Sequence, residues 1–452
     1  MFIVIVGAGK MGSELCASLS KEGHEITLIE KNSIRLEDML NSLKISGLAG
    51  NGSYPDIQER ANVGSCDMFI AVTEEDETNI IACVSAKKMG AAHTLARVRT
   101  PEYAENMDFA YQELGVSWMI NPEREAAREI YQLLQFPAAY SIESFEEGQV
   151  KMVELSVIKD SLLDGMSMME FRKKFPGLLI CIIQDENGSK IPSGETILRA
   201  DQHFYVTGQW EDMRTLYNRM GAPQRIRSVM IIGGGRTCRY LLSMLKSSSK
   251  RLKVIENNLE AANYLANEFT NCEIIHGDGT DHELLVQEAI DQYDCIVSLT
   301  GIDEENIILS MFALKRGVQR TITKINRTSL IPIALEVGIQ TIATPTTQGA
   351  TAILRIVRSI ENAKSSSSNM EALFRMNDKQ VEVMQFQANS SFNGLNFPLM
   401  DIGFIDEVLI ALIIRKEEVI FPTGYDSIQE GDHVLVVTKA TAAKDLNDLI
   451  KK

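Results

Sequence analysis

The chain has 452 residues, 45% hydrophobic and 23% charged, a globular balance that supplies several cores and excludes both a disordered chain and a single small domain. Its formal net charge of −16 excludes a phosphate-backbone binder, because nucleic-acid affinity needs Lys and Arg gathered along one face and no such cluster occurs. The longest apolar runs, such as Val408 to Ile414, fall far short of the roughly 20 residues that cross a bilayer, so no direct membrane insertion is expected.

The first predicted element is the apolar strand Met1-Phe2-Ile3-Val4-Ile5-Val6, which lacks the charged start and cleavage site of a signal peptide. It runs into Gly7-Ala8-Gly9-Lys10-Met11-Gly12, then a helix-patterned segment over Glu14 to Leu19, then a strand ending in Glu30. A lone G-x-G-x-x-G is weak evidence, but strand, glycine turn, helix and terminal acid together form the βαβ dinucleotide fingerprint. Gly7 makes the tight turn, Gly9 lets the backbone approach a pyrophosphate, and Gly12 allows helix and strand to pack closely. The helix N-terminus then faces the anion, while the Glu30 carboxylate is expected to hydrogen-bond ribose hydroxyls and repel a 2′-phosphate, favouring NAD(H).

Further along, Asn51 lies between Gly50 and Gly52, and Thr73 and Glu74 follow the strand Met68 to Val72. Ligands bind at the carboxyl ends of parallel strands, so these residues are candidates for adenine or ribose contact, with loop capping an equal reading for each. The carboxylates Glu74 to Glu77 allow a cation site but more commonly mark a helix start that offsets the macrodipole. Arg97 and Arg99 close a fifth strand, in reach of a phosphate or a neighbouring subunit. After Pro122 comes a β-rich segment over residues 151–217, in which Ile191-Pro192-Ser193-Gly194 precedes the strand His203 to Val206.

The same order then repeats. The strand Ser228 to Ile232 enters Gly233-Gly234-Gly235, and Glu256 ends the next strand, both 226 residues after their first-half counterparts. Asp278 in Gly277-Asp278-Gly279 and Thr300 follow at an offset of 227, as do Asn306 for Asn79 and Lys324 for Arg97. Pro345 stands for Pro122, and Phe421-Pro422-Thr423-Gly424 for the turn at 191–194. Cys238 occupies the place of Gly12, and its side chain is expected to widen the helix–strand contact, displace the phosphate turn and weaken the second site. Linkers are expected at 219–227 and 364–369, where Gly, Pro and Ser gather.

The chemistry of catalysis is missing from this pattern. The six histidines show no metal spacing, the seven scattered cysteines read as reduced core residues of a cytosolic protein, and no nucleophile motif or acid–base constellation accompanies the nucleotide fingerprint. The expectation is an α/β chain of two tandem Rossmann-type parallel-sheet domains, each followed by a small α+β domain, with limits 1–135, 145–219, 226–362 and 370–452. Binding without turnover is the simpler reading, and an NAD-dependent oxidoreductase stays open.

The motifs at Gly7 to Gly12, Glu30, 50–52, 233–235 and 277–280, spread over nearly the whole chain, resemble those of the TrkA-type peripheral subunits of bacterial Trk potassium-uptake systems. The two larger domains resemble RCK (KTN) domains and the smaller ones RCK C-terminal domains. The resemblance implies a cytoplasmic, peripheral regulatory subunit that assembles as a homo-oligomeric ring and gates a membrane potassium-conducting partner. It implies NAD(H), with ATP or ADP as alternatives, in a site comprising Gly7 to Met11, Glu30, Thr73, Glu74 and Arg97. A regulator of another cation transporter is the other reading left open.

Overall fold

Strands β1 (Phe2–Val6), β2 (Glu25–Glu30), β3 (Ser46–Ala49), β4 (Met68–Ala71), β5 (His93–Arg97) and β6 (Trp118–Ile120) form one parallel sheet in the order β3-β2-β1-β4-β5-β6 in a computed structural model of the protein. The structure describes residues 1–100, 103, 113–145, 150–185, 188–220, 225–364, 370–375, 381–416, 418–439, 443 and 445–451. The expected linkers at 219–227 and 364–369 include residues 221–224 and 365–369, which lie outside these.

The sheet forms because its strands are apolar on both faces: Ile3, Val4, Ile5 and all of β4 are buried, as a parallel sheet flanked by helices requires. The helix Lys10–Lys21 buries Leu15, Cys16 and Leu19 along one stripe and gives way at Gly23, whose φ of 83° is the left-handed conformation a glycine adopts freely. The Asn32 side chain starts the helix Ser33–Ser42 by accepting from the N–H groups of Ile34 and Arg35. Strand order reverses between β1 and β4, which opens a crevice at their carboxyl ends.

The first small sheet is antiparallel, with β7 (Ser141–Phe145), β8 (Val150–Ser156), β9 (Leu178–Asp185), β10 (Gly188–Lys190) and β11 (His203–Gly208) in the order β10-β9-β11-β8-β7. The second half rebuilds both patterns. Strands β12 (Ser228–Ile232), β13 (Arg251–Glu256), β14 (Cys272–His276), β15 (Cys295–Ser298), β16 (Arg320–Lys324) and β17 (Ile342–Ala343) run parallel in the order β14-β13-β12-β15-β16-β17. Strands β18 (Met370–Arg375), β19 (Glu382–Gln387), β20 (Val408–Arg415), β21 (Glu418–Ile420) and β22 (His433–Thr438) are antiparallel, in the order β18-β19-β22-β20-β21.

The chain divides into two compact units that cut across the repeat. One holds both parallel sheets, Met1–Leu134 with Ile226–Leu354, and the other both antiparallel sheets, Gln135–Arg225 with Arg355–Lys452. Inside the second unit the small sheets share one apolar core, in which Phe145, Met152, Ile182 and Tyr205 pack with Val383, Leu412 and Leu435. Its half-buried Glu143 is paired with Arg355 at 3.1 Å. All seven cysteines are free thiols and all but Cys272 are buried. Among the described residues no helix is long and apolar enough to cross a membrane.

Candidate functional site

The glycine turn follows β1. Gly7 has φ of 101° and donates its N–H to Ile29 at 2.8 Å, which folds the chain back across the end of β2. Gly9 caps the helix from an extended conformation, and a Cβ built on it meets no heavy atom within 4 Å. A Cβ on Gly12 would overlap the Gly7 carbonyl oxygen, so the close helix–strand approach needs that glycine.

A cavity of about 890 Å³ opens over this turn. Gly7, Ala8, Gly9, Lys10 and Met11 form its floor, Glu30 and Asn51 stand on the β2 side, and Thr73, Glu74 and Arg97 on the β4 and β5 side. The structure therefore brings every first-half candidate to one crevice except Gly12, which lies beneath it.

The side chains do more to shape the crevice than sequence reasoning supposed. Both oxygens of the Glu30 carboxylate are engaged by its own loops, Oε2 accepting from the Ala8 N–H at 2.5 Å and Oε1 from the Asn32 N–H at 2.8 Å. Each keeps a second lone pair for a ligand hydroxyl. Asn51 Oδ1 accepts from the backbone and hydroxyl of Ser53 at 3.1 and 2.9 Å, which makes it a loop cap that also lines the cavity.

Thr73 is held by Asn79, a fully buried residue that the sequence offered only as a repeated position. Its Oδ1 accepts from the Thr73 N–H and hydroxyl at 2.9 and 2.7 Å, and its Nδ2 donates to the carbonyls of Thr73 and Arg97 at 3.1 and 2.9 Å. An Asn repeated at the same place in both halves, Asn79 and Asn306, was the available signal. Asn306 repeats the bonds to the Thr300 N–H and to the carbonyls of Thr300 and Lys324, while the Thr300 hydroxyl donates to the Ile302 carbonyl instead.

The acidic run after Thr73 sits at a helix start, with Asp76 and Glu77 in the first turn of Asp76–Met89. Asp76 is buried and accepts from the N–H groups of Arg99 and Thr100 and from the Thr100 hydroxyl at 3.0, 2.8 and 2.6 Å. Burial raises its carboxyl, and these hydrogen bonds outweigh burial and hold it below the ordinary aspartate range. Arg99 lies beyond β5, whose last residue is Arg97, and binds the Glu74 carbonyl. Among the described residues no group of three or more His, Cys, Asp or Glu is placed to hold a metal ion.

The second copy keeps the cap dihedrals and changes the walls. Gly235 caps its helix at φ −67° and ψ −169°, against −69° and −176° at Gly9, with Cys238 fully buried. Cys238 stands in the place of Gly12 with its side chain in the core, and the turn is not an exact copy: a Cβ at Gly233 would stand 2.8 Å from the Leu299 carbonyl, against 3.3 Å from the nearest Thr73 atoms at Gly7. Gly233 (φ 102°) and Glu256 repeat their counterparts, Glu256 accepting from Gly234 and Asn258 at 2.5 and 2.7 Å. Asp278 caps Thr280 at 2.8 Å, and these hydrogen bonds from Thr280 keep its exposed carboxyl low. Where Ser13, Asp38 and Met39 line the first cavity, the second copy has Arg239, Tyr264 and Leu265. The Arg239 guanidinium lies 4.3 Å over the Tyr264 ring, and a Cβ at Gly234, where the first copy has Ala8, would stand 2.6 Å from Leu265.

Comparison with known proteins matches this arrangement. The TrkA-N domain family model matches residues 3–122 and 229–345, and the TrkA-C domain model residues 152–221 and 396–451. A Trk system potassium uptake protein TrkA homolog 2 of Methanosarcina mazei is 30% identical over 464 residues, covering 100% of both chains. The Trk system potassium uptake protein TrkA of Halomonas elongata is 29% identical, covering 96% of this chain and 95% of its own. Among solved structures, the GsuK RCK domain superposes with a TM-score of 0.63 at 18% identity, over 97% of this chain and 92% of that one. A GsuK channel bound to NAD gives 0.61 at 17% identity, over 99% of this chain and 78% of that one.

Proposed function

Because the chain belongs to the TrkA family, with two TrkA-N and two TrkA-C domains, we propose that it is the nucleotide-sensing regulatory subunit of a potassium-uptake system. It binds NAD(H) or an adenine nucleotide and gates a membrane potassium-conducting partner from the cytoplasmic face, assembled as a homo-oligomeric ring. The observation that carries the reading is the open cavity over the Gly7 to Met11 turn, where Gly9 presents bare backbone at a helix start and Glu30 faces the β2 side. In the second copy the corresponding ligand contacts are Gly233, Gly235, Glu256, Asp278 and Thr300.

A bound nucleotide acts by favouring one arrangement of the domains over another, and only its differential affinity for the two moves the partner. Glu30, Asn51 and Thr73 are hydrogen-bonded to loops and caps, which suits binding and conformational coupling rather than turnover. Mass spectrometry of the purified protein, followed by titration with NADH, NAD, ADP and ATP, tests the binding. Micromolar or tighter affinity for one of them supports the reading, and the absence of binding to all four overturns it. Steady consumption of NADH with a metabolite would instead mark an oxidoreductase.

A further inference from the structure

The amino ends of the second parallel sheet carry a row of cations. Arg251 begins β13, Arg320 begins β16 and Arg227 immediately precedes β12, and the pairings of Ser228 with Arg251 and of Cys295 with Arg320 set all three at one end of the sheet. The strands run in the order β13-β12-β15-β16 with neighbours about 4.8 Å apart, so the row spans roughly 15 Å. Lys246 and Lys250 stand in the turn before β13, and Lys315 and its C-cap Arg316 close the helix Asp303–Lys315 just before β16. Arg227, Lys246, Arg251, Lys315 and Arg316 are exposed. No run of Lys and Arg marks this face in the sequence; the strand order gathers it from segments far apart in the chain.

The Arg251 guanidinium lies 4.2 Å over the Tyr293 ring and that of Arg316 5.3 Å over Phe312. Most carboxylates of this face are committed. Glu268 pairs with Lys246 at 3.7 Å, and Glu273 and Glu288 both pair with the buried Lys253. Asp294 accepts from the N–H groups of Arg227 and Ser228 at 2.8 and 2.9 Å and from the Ser228 hydroxyl at 3.0 Å. Burial raises its carboxyl, and these bonds outweigh burial and keep it charged. With the exposed Asp291 counted, eight Lys and Arg stand against five carboxylates, in a chain whose net charge is −16. The fold does not require this excess. At the same places the first copy has Glu25 for Arg251, His24 for Lys250, Met89 for Arg316 and His93 for Arg320, with Glu25 paired to Phe2 and His93 to Met68 as their counterparts pair. Asp67 there clamps the Phe2 N–H at 2.7 Å as Asp294 clamps Ser228. The same ladder thus forms with a glutamate and histidines at its start, and the cations of the second copy have a cause outside folding.

We propose that this face is a docking surface for the anionic lipid headgroups of a membrane. The proposal deepens the reading of the chain as a subunit at the cytoplasmic face and rests on it for the presence of a bilayer. A net charge of −16 repels the chain from an anionic leaflet, so attraction comes only when the cationic face is turned toward the lipid, each Lys or Arg contributing once it lies within a Debye length of the surface. The cations lie side by side on strand ends and one helix end instead of converging on a point, which suits a plane of headgroups better than a single phosphate or one carboxylate of a peptide. Docking there leaves the carboxyl ends of the same strands, with the turn at Gly233 to Gly235, on the side away from the bilayer.

The test sediments the full chain with vesicles of phosphatidylcholine containing about 30% phosphatidylserine, and with vesicles of phosphatidylcholine alone, at low and at physiological salt. The wild-type chain is expected to bind the anionic vesicles at least about tenfold more tightly, and less so as salt rises. Arg251→Glu, Arg316→Met and Arg320→His combined, which install the first copy's residues, are expected to weaken that binding at least about thirtyfold while NADH affinity stays within about twofold. Lys21→Met with Lys88→Met, at the same end of the first sheet, is expected to change it less than about threefold. If the triple variant does not fold, Lys315→Gln on the exposed helix end serves, with an expected loss of about fivefold. The proposal is overturned by equal binding of the wild type to both vesicles, by unchanged binding in the triple variant or its stand-in, or by an equal loss in the first-copy variant. Tighter binding of a short double-stranded DNA than of the anionic vesicles overturns it too and marks a nucleic-acid face. NADH titrated on the same preparations separates the failures: a chain that binds NADH but no vesicle loses this proposal alone, and one that binds neither loses the functional reading with it.

Discussion

Two glycines five and two residues after Gly7 serve opposite ends, and substitution separates them. Gly9→Val has free space in the protein, so its unfolding midpoint should stay within a degree or two while NADH affinity falls at least tenfold, because the new side chain fills the pyrophosphate's approach. Gly12→Ala forces the Cβ against the Gly7 carbonyl and should cost about 1–3 kcal/mol of stability as well as binding. Thermal unfolding paired with calorimetry reads both. Asp76 carries a pH prediction. Its carboxyl, and that of Asp303, whose burial is outweighed by hydrogen bonds from Asn326 and Arg327 and by the charge of Lys10, lie below the ordinary aspartate value of 3.8. A group depressed on folding contributes stability that is complete above its unfolded value and is lost as pH falls through its folded value. Wild-type stability should therefore decline below about pH 4, and Asp76→Asn should flatten that decline and lower stability at pH 7 by about 2 kcal/mol, measured by denaturant unfolding at each pH.

At the level of strands, turns and helices, much was legible before any coordinates. Strand, glycine turn, helix and Glu30 have local causes, the apolar run on both faces and the left-handed Gly7, and the duplication at 226–227 residues doubles every signal. What stayed hidden depends on contacts between distant segments. Glu30 was readable as an acid at the end of β2, but its bonds to Ala8 and Asn32 appear only when the loops close. How a second copy accommodates the Cys238 side chain is a property of the packed core and has no local sequence signal. A further difference between the crevices lies in the first two helices of each copy. Arg239 stacked on Tyr264, with Leu265 leaning over Gly234, occupies the ribose side of the second crevice, so dinucleotide should bind there at least tenfold more weakly. In the full chain Gly235→Val should remove only the weaker NADH site and leave the tighter one unchanged, Gly9→Val should remove the tighter one, and Arg239→Ser should tighten the weaker. Equal losses from the two glycine variants would show that the stack yields to ligand.

For the whole molecule, the proposed role makes a physiological prediction. A strain lacking this chain and any redundant uptake system should grow poorly at low external potassium, and potassium flux should return with the wild-type chain but not with Gly9→Val. Normal growth and flux in the deletion would remove the potassium assignment and leave the nucleotide site standing. Under the same assignment the chain should copurify with a membrane subunit.

The Asn121 amide donates to the Tyr240 hydroxyl at 2.7 Å, and Lys324 and Thr346 of the second copy line the first cavity, so the crevice is shared by two copies that are also joined covalently. Were they separate chains, the crevice would form only above the dissociation constant of their dimer, and any substitution would alter both sites at once. Within one polypeptide the partner is present at a fixed effective concentration whatever the level of expression, so dilution does not open the crevice. Fusion also releases the copies from symmetry. Position 97 carries arginine where 324 carries lysine, and position 123 carries glutamate where 346 carries threonine, so each wall answers to its own codon. A duplicated gene thereby holds two inputs that drift apart in sequence while remaining locked in stoichiometry.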